Sequence, residues 1–89
     1  MTKATLSPII NINGTSAEEH VDMRRDAVAA LTAAIEAIKP LVPNGRDYPG
    51  QLDQCDADRR IHFDRLAELT AIREAIYAEA ITIQRATEA

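Results

Sequence analysis

Pro43-Asn44-Gly45-Arg46-Asp47-Tyr48-Pro49-Gly50 is the stretch on which the fold of this chain turns. Two of the four prolines, two of the three glycines and one of the two tyrosines fall within it. Each proline removes a helical amide and crowds the preceding turn, so a helix does not run through the segment. Asn-Gly favours a reversal, and Gly45 can adopt the positive φ of a tight turn. The flanking stretches are therefore two helices folded back on each other across a loop at residues 42–51. A plain connection needs Gly, Asn or Pro. It does not need Arg46, Asp47 and Tyr48 beside them, and that surplus marks the loop as a place to look for function.

Upstream, the pattern predicts helix 1 over residues 15–41. Thr15 with Glu18, and Ser16 with Glu19, each fit the capping box. Glu18, Glu19 and Asp22 place negative charge at the positive end of the helix dipole. Val21, Val28, Leu31, Ile35 and Ile38 follow at steps of seven, three, four and three, which is a heptad seam. Arg24 takes the one seam position that breaks it. Alanines around the seam favour helix and allow a close neighbour. Pro40 and Pro43 close the helix.

Downstream, helix 2 spans residues 52–86, with Asp53, Asp56 and Asp58 suited to its first turns. Leu66, Leu69, Ile76 and Ile83 form one seam, while Ile61, Phe63, Ile72, Tyr77 and Ile81 spill onto adjacent faces. One partner helix cannot cover so wide an apolar surface, which predicts hairpins packed into a helical-bundle oligomer. The other solution is a monomer whose N-terminal arm covers the second face. That arm, residues 1–14, carries Ile9, Ile10 and Ile12 between Pro8 and the Asn13-Gly14 pair. It reads as a short extended segment packed on the helices or on a neighbouring subunit, or else as a loose tail. The expected fold is thus all-α: a single domain, residues 1–89, built as an antiparallel two-helix hairpin with a short extended N-terminal arm.

At 89 residues the chain is one small domain with a thin core. Its net charge of −4 argues against a nonspecific DNA or RNA binder. No run of about 18 apolar residues exists to span a membrane, and Met1–Pro8 lacks a hydrophobic signal core. A lone Cys55 forms no internal disulfide. These features predict a soluble cytoplasmic protein.

Three groups of residues are candidates for binding. In the loop, Arg46 offers planar donors suited to phosphate, Tyr48 can stack on a base or donate its hydroxyl, and Asn44, Gly45 and Asp47 complete the turn. The alternative is a structural turn, with Arg46 paired to Asp47 and Tyr48 packed on helix 2. At the start of helix 1, Thr15 and Ser16 bring hydroxyls to free amides and a positive dipole end, either as an anion site or simply as a cap. Near the start of helix 2, His62 and Arg65, with Arg59 and Arg46, compose a basic pocket; His62 reads equally as a seam residue hydrogen-bonded within the bundle. Cys55, His20 and His62 are too scattered for a metal site. No nucleophile–base set and no phosphate-cradling glycine motif is present, so neither an enzyme nor a bound cofactor is expected.

Ile12-Asn13-Gly14-Thr15-Ser16, then Pro43-Asn44-Gly45-Arg46-Asp47-Tyr48, then His62 and Arg65 in an aliphatic helix resemble a family of short proteins encoded by bacteriophages and prophages. The resemblance covers residues 11–83, and its specific part is the loop. This chain has Pro49 where the family pattern carries a second tyrosine. In size, hairpin plan and the Pro43-Asn44-Gly45-Arg46 turn, the chain is also similar to phage hairpin oligomers that sequester the cyclic-nucleotide signals of CBASS and Thoeris defence. The resemblance implies a non-enzymatic phage anti-defence protein of the host bacterial cytoplasm. Such a protein would be a homo-oligomer that binds a cyclic oligonucleotide or ADP-ribose derivative. The alternative is a protein–protein interaction module, an anti-defence inhibitor or phage accessory protein, acting through an apolar helix face.

Overall fold

The computed structural model describes residues 3–88; residues 1, 2 and 89, which belong to the arm and domain bounds given above, lie outside it. It is all-helical, with no strand among the described residues. Helix α1 runs Ala17–Ile38. Of the two candidate caps, Ser16 takes the role: its backbone is extended (φ −66°, ψ 158°), and its Oγ accepts the Glu19 N–H at 3.1 Å. Pro40 does not stop the chain abruptly. Lys39 N–H still reaches the Ile35 carbonyl, and Lys39–Leu41 tighten into a 3-10 turn.

The connector then makes a second 3-10 turn, Gly45–Asp47. Asn44 caps it, its Oδ1 accepting the Arg46 N–H at 3.1 Å while its carbonyl accepts that of Asp47 at 2.9 Å. The positive φ expected of Gly45 is found instead at Gly50 (φ 74°), the only such residue among those described. The reason is local: Gly45 opens a right-handed 3-10 turn, whereas Gly50 sits where the chain swings into the next helix.

Helix α2 runs Leu52–Glu88, 37 residues or about 55 Å at 1.5 Å per residue. The 22 residues of α1 cover only about 33 Å of it. Cross-links fix the register. Arg24 meets Glu79, Thr32 meets Arg73, and the Pro43 carbonyl meets Arg59, so numbers fall on one helix as they rise on the other. The hairpin is antiparallel, and the connector folds over the first turns of α2 beyond the reach of α1.

The seam is narrow. Val21 and Ile35 are buried on α1, and Cys55, His62, Ala75, Ala80 and Ile83 on α2. No side chain among the described residues is fully enclosed, while Ile61, Phe63 and Tyr77 are exposed, as are Leu6, Ile9 and Ile12. Ile72 and Ile81 are half-buried. The radius of gyration is 18.4 Å, against about 12 Å for a compact domain of this length. A hairpin buries one stripe per helix and leaves the rest open.

Arg24, which interrupts the heptad, lies opposite an equally anomalous Glu79. Arg24 Nε donates to Glu79 Oε1 at 3.0 Å, with the two side chains 12% and 6% exposed. Arg24 also donates to the His20 carbonyl at 3.2 Å and meets His20 Nδ1 at 3.2 Å. The second carboxylate oxygen of Glu79 accepts the Leu6 N–H at 2.8 Å, tying the residues ahead of α1 to α2. A buried charge survives only when paired and hydrogen-bonded, and both conditions hold here.

Candidate functional site

The connector encloses a cavity of about 270 Å3 against α2. Ile38, Leu41 and Pro43 form its apolar side; Tyr48, Asp58, His62 and Arg65 supply its polar groups, and Ile61 lies at the wall. Asp58, His62 and Arg65 share one face of α2 because they are spaced by four and three. The connector is held over that face by two bonds. Arg59 Nε donates to the Pro43 carbonyl at 3.0 Å, and the Tyr48 hydroxyl donates to Asp58 Oδ2 at 2.6 Å. Gln54 Nε2 occupies the other Asp58 oxygen at 2.8 Å.

The Tyr48–Asp58 bond is short and charge-assisted. Giving up the phenolic proton would break that bond and set a phenolate against a carboxylate. The Tyr48 phenol is therefore pushed up to about 12, first by this hydrogen bond and then by desolvation and the negative charge of Asp58. At neutral pH the Tyr48 phenol is therefore held in its uncharged form.

His62 is buried, 5% exposed, and its ring meets Phe63 edge-on at 5.1 Å. It has the seam placement of one sequence reading without that reading's internal hydrogen bond: no described residue pairs with the ring. No buried side-chain nitrogen or oxygen is left without a partner among the described residues, so both ring nitrogens must reach the cavity's solvent. Arg65 is exposed and forms no ion pair among the described residues.

Of the residues singled out in the sequence, Tyr48, His62 and Arg65 come together here. Asn44, Gly45, Arg46 and Asp47 do not line the cavity; they build the 3-10 turn, and the Arg46–Asp47 pair does not form. Thr15 and Ser16 lie at the opposite end of α1, about 33 Å away along the helix. The charged residues of the cavity beside them are Glu18, Asp22 and Arg25, two acids against one base, and neither Thr15 nor Ser16 lines it. Asp58 was visible in the sequence only as one acid among several near a helix start. Its role depends on Tyr48, ten residues earlier, swinging back onto it.

Among the described residues, no cluster of His, Cys, Asp or Glu could hold a metal ion, and no helix is long and apolar enough to cross a membrane. Comparison with family models, with curated proteins and with solved structures finds no match.

Proposed function

We propose that this chain is a phage-encoded, non-enzymatic binder that sequesters a nucleotide-derived immune signal in the host bacterial cytoplasm. The signal is a cyclic oligonucleotide or an ADP-ribose derivative. The observation that carries the reading is the cavity under the connector. In a protein of net charge −4, it gathers the cation of Arg65, the open ring of His62 and the neutral phenol of Tyr48, with the Asp58 carboxylate bonded to Tyr48 and Gln54. Cation, imidazole and aromatic together suit phosphate beside a sugar or base.

The working unit is a homo-oligomer of hairpins, with the N-terminal arm taking part in the assembly. Its support is the open architecture: a radius of gyration far above that of a compact domain, and Phe63 and Tyr77 more than half exposed. A further groove of about 620 Å3 runs along α2 past Leu66, Ala71, Ala75 and Ala78, bordered by Lys3 and Thr5. A neighbouring hairpin would bury these surfaces and add a second wall to the connector cavity.

The test is a thermal-shift screen with cyclic di- and trinucleotides and ADP-ribose derivatives, followed by calorimetry on Arg65→Ala. A ligand at about 100 times its Kd adds roughly 2.7 kcal/mol of stability. Arg65→Ala should weaken a responsive ligand about tenfold to a hundredfold, the loss of one charge-assisted bond, without altering the melt of the free protein. A panel that never shifts the melting temperature refutes the reading. The exposed apolar residues Leu41 and Ile61 at the cavity wall favour a second reading, docking of a protein partner through this end of α2; that reading predicts no response to any nucleotide.

A further inference from the structure

Within the site proposed above, and resting on that reading, one residue is left without a structural occupation. His62 is more than nine-tenths buried, yet its ring has no partner among the described residues and opens into the cavity. Its ring nitrogens, open to the cavity and bonded to no described residue, are available to a ligand. Three residues on, one turn along the same face, stands Arg65, also without a carboxylate partner. We propose that His62 and Arg65 form a two-pronged clamp for a single phosphate group, with the imidazole engaged in its protonated form, so that ligand capture tightens as pH falls.

The surroundings favour this arrangement. The titratable and charged groups lining the cavity with His62 are Asp58 and Arg65 from α2 and Tyr48 from the connector. The α1 end and the first part of the connector bring only Ile38, Leu41 and Pro43. Asp58 accepts from Tyr48 and Gln54, one on each oxygen, and makes no bond to the ring. It nevertheless places a carboxylate one turn from the imidazole, within the same cavity. The neutral ring presents one donor and one acceptor, so it offers a phosphate a single uncharged N–H. The protonated ring presents two donors and a positive charge. Imidazole is the side chain whose charge changes between about pH 5 and 8.

Size points the same way. Sites that enclose a whole small ligand occupy about 300–1,000 Å3, and this one offers about 270 Å3. It therefore houses the phosphate and its immediate attachment, while a base lies outside, against Tyr48 or a neighbouring hairpin.

Two measurements test the clamp. Calorimetry with cyclic di-adenosine monophosphate, whose phosphodiesters keep their charge throughout, compares pH 5.5 with pH 8.0. Wild type should bind about tenfold or more tightly at the lower pH, while His62→Gln, which keeps a donor but cannot charge, should show no such gain. The second measurement follows the two histidine rings of the wild type by NMR, in sulfate and in chloride at equal ionic strength. By reciprocity, a tenfold preference of the anion for the protonated protein moves the His62 midpoint upward by about one pH unit, and His20 should not move. The NMR arm needs no variant, so it decides even if His62→Gln misfolds. Nucleotide binding that is equally tight at both pH values, or a His62 ring indifferent to sulfate, overturns the clamp and leaves the proposed function standing. No heat with any nucleotide of the panel at either pH removes the proposed function and the clamp together.

Discussion

Replacing Glu79 by Ala should be among the most damaging single changes in this chain. Its carboxylate is 6% exposed and holds two partners, Arg24 Nε at 3.0 Å and the Leu6 N–H at 2.8 Å. Alanine would leave the Arg24 guanidinium, itself 12% exposed, without its counter-charge, and would strip the Leu6 amide of its acceptor. Breaking a buried pair from one side costs about 3–5 kcal/mol. An 89-residue domain has about 4–13 kcal/mol of total stability, so the loss takes roughly a quarter of it or more. In a domain this size each kcal/mol moves Tm by about 5 °C, giving a fall of roughly 15–25 °C. Urea unfolding followed by circular dichroism at fixed protein concentration measures the change. Hydrogen exchange at the Leu6 amide supplies a local readout, since its protection should vanish. The double variant Arg24→Leu/Glu79→Leu removes both charges and should recover much of the loss, because an apolar pair of similar size avoids the desolvation cost. If Glu79→Ala costs less than about 1 kcal/mol, the range of an exposed ion pair, then water reaches this pair freely and the reasoning fails.

Three further outcomes follow from the geometry. Because the Tyr48 phenol is raised above its unfolded value of 10.0 to about 12, its contribution to stability is fully present below pH 10 and disappears between about pH 10 and 12. Absorbance at 295 nm should show a late phenolate wave, absent in Tyr48→Phe and shifted to lower pH in Asp58→Asn. Gly50→Ala should destabilise by about 1–2 kcal/mol, since φ is 74° there, whereas Gly45→Ala, with open space around its Cβ, should be neutral or slightly stabilising; a pair of urea melts compares them. Light scattering at micromolar concentration should give a mass above one chain. Phe63→Lys should lower it without loss of helix, because the side chain is 56% exposed within the hairpin; a monomeric wild type would rule out the assembly.

The division into two helices could be read from the chain alone because its causes are local. Pro43, Pro49 and Gly50 forbid continuous helix over a few residues, and the seams through Val21–Ile38 and Leu66–Ile83 repeat at helical spacing. Capping was legible for the same reason, down to a choice between Thr15 and Ser16. What the loop residues do was not. Asn44 and Gly45 spend their chemistry on a 3-10 turn, and Gly50 rather than Gly45 takes the left-handed backbone, because the path of the turn depends on where α2 lies beneath it. Asp58 looked like one dipole-compensating acid among three. Only the folded-back connector brings Tyr48 to it. Arg24 announced itself as an interruption in the seam, but its partner could not be named, since Glu79 lies 55 residues away and is selected by the register of two antiparallel helices. Helical periodicity states which residues share a face. Which face meets which, and therefore that Tyr48, His62 and Arg65 share one cavity while Arg46, Thr15 and Ser16 stand apart from it, is decided by tertiary packing.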